Sequence, residues 1–229
     1  RARSLIDFSV GVGGDLHKWY KAGYRNILGI DISPENINRK IDDQTGSYYA
    51  NKEGAIERLK NIKQGNFSRD REFIEWAKSI NIEFIVGDSS KLLNLDTFIQ
   101  DPFTKLDDQL SALRIYDIVS DTKNKNKLGK FLDKYSTDDG VTSNSIKNTK
   151  FGSAAMFFSI HYLFDRQERL QNFFINCSKT LGMGGYLVIT TFDGNVVLQK
   201  LIENGGEYKH AGEWTITLES SIEKLSSSV

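Results

Sequence analysis

The sequence predicts an α/β fold built on a mostly parallel, doubly wound sheet. Short apolar segments alternate with segments of helical spacing along most of the 229 residues. This alternation indicates crossover connections, which place helices on both faces of a parallel sheet. Glycine or aspartate stands at the carboxyl end of each of the first three predicted strands, at the edge where such sheets bind ligands.

The first strand–helix unit is predicted from residue 4 to residue 23. Residues 4–9 (SLIDFS) are typical of a short buried strand, and a glycine turn follows at residues 11–14. A helix is expected to begin at Asp15 and to stop at Gly23, which suits a left-handed cap.

The second unit has a strand at residues 26–32 and a helix that begins at Ser33. Ser33 is a favourable N-cap, and Pro34 is tolerated at the first helical position. Apolar residues at the following positions predict that the helix runs through Ile37 and Ile41.

The middle of the chain is more polar. Helical stretches are predicted at 55–62 and 71–78, and an apolar strand at 82–86 leads into Gly87-Asp88-Ser89-Ser90. Residues 91–99 fit either a short helix or a loop, and residues 110–119 are apolar enough for structure. The lysine-, asparagine- and serine-rich stretch 121–150 predicts a mobile surface insertion.

The last part of the chain returns to the strand–helix pattern. Residues 151–160 (FGSAAMFFSI) predict a buried central strand. The remaining predicted elements are a helix at 166–181, a turn at 182–185, a strand at 186–191 and a helix at 195–203 that ends near Gly205-Gly206.

Composition restricts the classes of function. Lys+Arg and Asp+Glu both number 30, so the balanced charge argues against non-specific gripping of nucleic-acid phosphates. No apolar run approaches the roughly 20 residues that cross a bilayer. For that reason we expect no membrane partner. The single cysteine, Cys177, cannot form an internal disulfide, so we expect an intracellular, reducing location.

The glycine turn departs from the dinucleotide-binding pattern G-x-G-x-x-G. Its sequence is Gly11-Val12-Gly13-Gly14, and Asp15 follows at the helix start. An anion at that place repels a pyrophosphate but suits a ligand that carries an ammonium group. A purely structural strand-to-helix turn is the other interpretation.

Two further strand ends carry acidic residues. Asp31 can accept hydrogen bonds from ribose hydroxyls, and its alternative interpretation is a turn aspartate. Asp88 can accept from an exocyclic amine while the Ser89 N–H donates to a ring nitrogen, although such a run is by itself often only a turn. Together with the glycine turn, these residues predict a site for adenosine with a zwitterionic tail, the shape of S-adenosylmethionine.

Five runs in order along the chain resemble the mRNA cap guanine-N7 methyltransferases, in particular the methyltransferase domain of large-DNA-virus capping enzymes. They are IDFSVGVGGDLHKW, LGIDIS, VGDSS, FFSIHYLF and GMGGYLVITTFDG, between residues 6 and 194. The resemblance implies a Rossmann-like class I S-adenosylmethionine-dependent methyltransferase. Residues 1–229 would form one such domain within a larger capping enzyme.

The resemblance also implies residue roles. Asp7, Ser9 and Gly11 would line the methionine end of the cofactor, Asp31 the ribose, and Asp88 and Ser89 the adenine, while His161 and Tyr162 would hold the cap guanine. Further residues placed at the cofactor are Gly13, Asp15, Lys18 and Phe157. Phe157 stands where the family commonly has Gln. No catalytic acid, base or metal is expected, because guanine N7 is already nucleophilic and positioning suffices.

Several partners and alternatives follow from this interpretation. The expected substrate is the capped 5′ end of mRNA, and other capping-enzyme domains or a small stimulatory subunit are expected partners. The alternatives are a silent methyltransferase-like module that binds or stimulates a capping partner, a methyltransferase for another RNA or a small molecule, and, last, an oxidoreductase.

Overall fold

A computed structural model describes residues 3–40, 53–93, 150–210 and 214–219. The chain divides into two compact units, Arg1–Thr190 and Thr191–Val229. The predicted structure at 110–119 and the insertion predicted at 121–150, apart from Lys150, lie outside the described residues, as does most of 91–99. The prediction of a single methyltransferase domain therefore stays a prediction.

The first unit combines strands and helices along the chain. They are β1 (Arg3–Asp7), α1 (Leu16–Lys21), β2 (Tyr24–Asp31), α2 (Pro34–Asn38), α3 (Ala55–Lys63), α4 (Arg71–Ser79), β3 (Asn81–Val86), β4 (Phe151–Phe157), a 3₁₀ helix (Ile160–Leu163), α5 (Gln167–Thr180) and β5 (Leu181–Thr190). The second unit contains α6 (Gly194–Glu203), β6 (Glu207–His210) and β7 (Trp214–Thr217).

The first unit contains a five-stranded sheet in the order β3-β2-β1-β4-β5. Every neighbouring pair is parallel, with Asp7 opposite Gly29 and Asp31 opposite Val86. The strand order reverses between β1 and β4, and a crevice at the carboxyl ends of the strands is expected there. This topology confirms the predicted doubly wound α/β fold.

Two hydrophobic clusters cover the two faces of the sheet. Ile6 and Leu28 belong to a cluster that includes Phe173 of α5. Their neighbours Leu5 and Ile27 belong to a second cluster, which includes Trp19 of α1 and Phe73 and Trp76 of α4. Successive side chains of a strand point to opposite faces, so both faces are covered and the ligand edge remains open.

The second helix begins as predicted but is shorter than predicted. Ser33 Oγ accepts a hydrogen bond from the Asn36 N–H at 3.3 Å, and Pro34 occupies the first position. The helix ends at Asn38 because Arg39 turns to φ −58° and ψ 126°. The Arg39 carbonyl then accepts the Gly54 N–H at 2.8 Å, which directs the chain away from helical geometry.

The prediction of one strand over 151–160 is wrong for its last three residues. β4 ends at Phe157, and Phe158 adopts a left-handed conformation with φ 52°. The Phe158 N–H donates to the Thr190 carbonyl at 2.8 Å, which anchors this turn to β5. The chain continues as the 3₁₀ helix, so His161 and Tyr162 lie on that helix and not on a strand.

The glycines predicted to form a turn before the last strand lie inside β5. Leu181 pairs with Phe151 and Tyr186 with Ser153, so four residues of β5 oppose the single residue Gly152. Gly184 has φ 74°, which an L side chain rarely adopts. The predicted turn at 182–185 is therefore a register irregularity inside β5 and not a separate loop before it.

The second unit contains elements that the sequence did not predict. Asp193 caps α6 by accepting the N–H groups of Asn195 and Val196. After α6, β6 and β7 form an antiparallel pair with Glu207 opposite Thr217. Within the part of the chain that the structure describes, no helix is long and apolar enough to span a membrane.

Candidate functional site

A pocket of about 450 Å³ lies at the carboxyl ends of β1, β2, β3 and β4. Five of the predicted site residues line it: Ser9, Asp31, Asp88, Ser89 and Tyr162. They come from four segments that are far apart in sequence. The pocket therefore forms where the reversal of strand order predicts it.

Asp31 connects the pocket to the glycine turn. Its Oδ2 accepts the Gly11 N–H at 2.8 Å, and its Oδ1 accepts the Ser33 N–H at 2.9 Å and the Asn36 Nδ2 at 3.0 Å. This carboxylate is therefore fixed in place before any ligand arrives.

Two glycines shape the turn after β1. Gly11 and Gly13 have φ values of 55° and 73°, in the left-handed region. A Cβ at Gly13 would lie 3.4 Å from Ala55, whereas one at Gly11 would meet nothing within 4 Å. Gly13 therefore serves close packing on α3, and Gly11 leaves open space beside Asp31.

A carboxyl group is buried behind this turn. Asp7 is only 1% exposed and accepts the Ser9 N–H at 3.0 Å. Burial, the largest cause, raises the pKa of Asp7 from 3.8 to about 7, a net value that also includes the lowering effect of the Ser9 hydrogen bond and the raising effect of the negative charges of Asp15 and Asp31. The buried Ser9 Oγ has no hydrogen-bond partner among the described residues.

The turn after β3 is held from two sides. Asp88 Oδ1 accepts both the N–H and the hydroxyl of Ser90, and Ser89 Oγ donates to the Phe8 carbonyl at 2.7 Å. Within the described residues, no group accepts from the Ser89 N–H and none donates to Asp88 Oδ2. An acceptor and a donor thus stand side by side at the pocket.

Asn176 of α5 supports this turn from inside the core. Its side chain is fully buried, donates to the Ser89 and Lys91 carbonyls, and accepts the Leu93 N–H at 2.9 Å. A buried amide with all of these bonds made fixes the segment that it contacts. The turn after β3 is therefore rigid relative to α5.

The end of β4 differs in being open to solvent. Tyr162 is 66% exposed, and its ring centroid lies 4.2 Å from that of His161. Phe158, with its left-handed backbone, is also exposed beside them in the sequence. An unstrained chain rarely holds a phenylalanine in this conformation, and such residues concentrate at functional sites.

The remaining predicted residues do not line the pocket. Asp7 and Gly11 contact residues of its wall, as described above. Asp15 stands at the N-cap position of α1 without a side-chain capping hydrogen bond and pairs with Lys18, whose side chain is 77% exposed. Phe157 packs against the second hydrophobic cluster, and the His161 ring lies against the Tyr162 ring. Their predicted roles stay predictions.

Several polar wall residues were not predicted from the sequence. They are Ser33, Asn36, Ser90, Ser159 and Arg169. Arg169 lies in the first turn of α5 and pairs with Asp165 at 3.0 Å. Helical spacing predicts where α5 lies but does not indicate that Arg169 lines the pocket. A stronger signal existed for Asn36, which lies five residues after Asp31 in the first turn of a predicted helix.

A family model described as the mRNA (guanine-N(7))-methyltransferase domain matches residues 111–228, just over half of the chain. The chain belongs to this family. The matched part contains His161 and Tyr162 and most of the second unit, whereas β1, β2 and β3 lie before it.

Comparison with known proteins also gives a relative and a solved structure that match most of the chain. The chain is 27% identical over 201 residues, or 86% of its length, to the probable mRNA-capping enzyme of Acanthamoeba polyphaga mimivirus, and it spans 13% of that protein's length. A crystal structure of the PH0226 protein from Pyrococcus horikoshii OT3 matches 91% of this chain and 56% of its own, with 15% identity and a TM-score of 0.40. The fold assignment rests on the strand order and not on that likeness.

Proposed function

We propose that this chain transfers a methyl group from S-adenosylmethionine to N7 of the mRNA cap guanosine. The observation that carries the proposal is the pocket itself. In a chain of this family, Asp31, Asp88 and Ser89 converge on one cavity whose rim carries Tyr162. Each has hydrogen-bonding capacity that the described part of the protein leaves unused.

The donor and acceptor set fits the proposed cofactor. Asp31 Oδ2 can accept from the ribose, Asp88 Oδ2 from the adenine amine, and the Ser89 N–H can donate to a ring nitrogen. The buried, unpaired Ser9 Oγ suits the methionine end. Two carboxylates in the wall also complement a cofactor that carries a net positive charge.

The end of β4 is the proposed cap subsite. Tyr162 presents an exposed aromatic ring, on which a purine base can stack, and His161 stands against it. Aromatic side chains and base-edge hydrogen bonds are the usual means of holding an unstacked base. The cap guanine would therefore lie beside the sulfur end of the cofactor pocket.

The protein's part in the reaction is positioning. When bound, S-adenosylmethionine would supply a sulfonium methyl group: the N7 lone pair would form the new N–C bond as the S–C bond breaks, and the neutral thioether S-adenosylhomocysteine would leave. N7 carries no proton, so no side chain must act as a general base. The rigid pocket wall at Asp31 and Ser89 holds the cofactor, and the His161–Tyr162 pair holds the cap guanine. Holding both reactants in line can lower the activation free energy by roughly 7–11 kcal/mol.

The proposed partners follow from the same interpretation. The substrate is the capped 5′ end of mRNA, and the relative named as a probable capping enzyme is far longer than this chain. We therefore place the chain beside other capping domains, with a small stimulatory subunit as a further partner. Its proposed location is intracellular: the host cytoplasm (a viral factory) or the virion if the protein is viral, and the nucleus if it is cellular.

The test is calorimetry with S-adenosylhomocysteine, repeated with added cap analogue, followed by a methyl-transfer assay with labelled cofactor. Binding of both ligands and transfer to N7 are expected. Failure to bind S-adenosylhomocysteine would refute the cofactor assignment. Binding without transfer would favour the silent-module alternative, and transfer to a different acceptor would favour another substrate.

A further inference from the structure

The carboxylate of Asp31 cannot accept both ribose hydroxyls alone. Each carboxylate oxygen offers about two acceptor positions. Oδ1 already accepts the Ser33 N–H and the Asn36 Nδ2, and Oδ2 accepts the Gly11 N–H. One acceptor position is left, on Oδ2, so the second hydroxyl needs another partner.

Asn36 lies next to this position. Its side chain lines the pocket and its Nδ2 is 3.0 Å from Asp31 Oδ1. A carboxylate oxygen only accepts, so the amide nitrogen must face Asp31 and the amide oxygen must face away from it. Among the described residues, none donates a hydrogen bond to Asn36 Oδ1.

The backbone holds Asn36 in this arrangement. The Asn36 N–H donates to Ser33 Oγ, and Pro34 fixes the first position of α2. Asp31, Ser33 and Asn36 therefore form one network in which every donor facing Asp31 is used. Asp31 Oδ2 and Asn36 Oδ1 each have an acceptor position left, and the two side chains that carry them are hydrogen-bonded to each other.

We propose that Asn36 is a second ribose-binding residue: Asn36 Oδ1 accepts one ribose hydroxyl while Asp31 Oδ2 accepts the other. Two neighbouring acceptors match two hydroxyls on adjacent ring carbons. The inference rests on the proposed function, because it requires an adenosine-containing ligand in this pocket. It makes Asn36 a residue that selects ribose over deoxyribose.

The test compares three ligands on three proteins. The ligands are S-adenosylhomocysteine and its 2′-deoxy and 3′-deoxy analogues, and the proteins are the unsubstituted chain, Asn36→Ala and Asn38→Ala. Asn38 is an exposed asparagine of the same helix and serves as the matched control. Dissociation constants are measured by calorimetry, and thermal unfolding checks that each variant is folded.

The expected pattern is specific to a direct contact. Asn36→Ala should weaken S-adenosylhomocysteine binding on the order of tenfold, the effect of one good hydrogen bond. With the analogue that lacks the hydroxyl bound by Asn36, the substitution should change affinity by less than about threefold, since the coupled partner is already gone. Asn38→Ala should match the unsubstituted chain for all three ligands.

Two results would overturn the inference. One is an equal loss of affinity for all three ligands in Asn36→Ala, which would mean that Asn36 acts only by holding Asp31 in place. The other is that removal of one hydroxyl leaves affinity for the unsubstituted chain unchanged, a result that needs no variant. Failure of the unsubstituted chain to bind S-adenosylhomocysteine would instead refute the proposed function, so the two failures are distinguishable.

Discussion

The two sides of the pocket are built differently. At the ends of β1, β2 and β3, Asp31 and Ser89 are buried; the Asp31 side chain accepts three hydrogen bonds within the protein and Ser89 makes two. At the end of β4, Tyr162 is two-thirds exposed on a single turn of 3₁₀ helix. The first side is fixed before any ligand binds, and the second presents an aromatic surface that a ligand can cover.

This difference separates two kinds of binding energy. A preorganised polar site loses little entropy on binding and depends strongly on each of its groups. An exposed aromatic surface contributes mainly through the base that stacks on it. Substitutions on the two sides should therefore affect different measurements, cofactor affinity on one and cap methylation on the other.

The largest effect is expected from Asp31→Ala. The substitution removes the proposed ribose acceptor and leaves the Gly11 and Ser33 N–H groups without their partner. Hydrogen bonds to charged groups contribute roughly 1.5–3 kcal/mol each, so affinity for S-adenosylhomocysteine should fall by about 100-fold or more. Calorimetry measures this loss.

Glu35→Ala is the matched control for that substitution. Glu35 is an acidic residue of α2 that pairs with Arg39 at the surface and does not line the pocket. Its loss should leave affinity within about twofold, as expected for exposed ion pairs. Unchanged cofactor affinity in Asp31→Ala would break the distinction between the two sides.

The next largest effect is expected from Tyr162→Ala, on the other side of the comparison. Stacking of a base on an aromatic side chain contributes about 1–3 kcal/mol, so kcat/KM for cap methylation should fall about 10- to 100-fold. Affinity for S-adenosylhomocysteine should change less than about threefold. A methyl-transfer assay and calorimetry on the same sample give both numbers.

Tyr186→Ala provides the control for Tyr162. Tyr186 is as exposed as Tyr162, but it lies on β5 and does not line the pocket. Its substitution should change neither measurement. A Tyr162→Ala variant that lost cofactor affinity and activity equally would show that the exposed side also serves the cofactor.

The fixed side of the pocket, at the ends of β1, β2 and β3, was also the more predictable from the sequence. Strand ends and acidic residues follow from local pattern, and the topology of a doubly wound sheet brings the ends of parallel strands to one edge. The structure brings Asp31, Asp88 and Ser89 together in one pocket, and their predicted ligand contacts stay predictions. Asn36 was not found, because its contact with Asp31 depends on the side-chain geometry of the first turn of α2.

The other side was less predictable for a physical reason. FGSAAMFFSI is uniformly apolar or small, and periodicity cannot show where such a strand stops. The end of β4 is set by the left-handed backbone of Phe158 and its bond to the Thr190 carbonyl, a contact 32 residues away in sequence. Similarly, β6 and β7 have four residues each and are held mainly by their mutual pairing.

A third prediction concerns the carboxyl buried behind the fixed side. Asp7 has its pKa raised to about 7 in the folded protein, from an ordinary value of 3.8. Between these values the folded state holds a proton that the unfolded state has lost, so stability falls as pH rises. Relative to Asp7→Asn, the free energy of unfolding should fall by roughly 1.4 kcal/mol per pH unit up to about pH 7 and then level off.

Denaturant unfolding of both proteins between pH 5 and pH 8 measures this difference. Asp7→Asn keeps an Oδ1 acceptor for the Ser9 N–H and so serves as its own structural control. A stability difference that does not vary with pH would mean that Asp7 is already ionised in the folded protein.

The smallest effect is expected from Ser9→Ala, which sharpens the comparison on the fixed side. The Ser9 hydroxyl is buried at the pocket and has no partner in the described part of the chain. A buried hydroxyl without a hydrogen bond gives the free protein no stability, so its removal should leave the free energy of unfolding unchanged or slightly higher. If the hydroxyl instead binds the ligand, affinity for S-adenosylhomocysteine should fall about threefold.

Ser178→Ala, at an exposed position of α5, should change neither quantity. Unchanged affinity in Ser9→Ala would exclude this hydroxyl from the ligand contacts, whereas a loss of stability above about 1 kcal/mol would show that it has a partner within the protein.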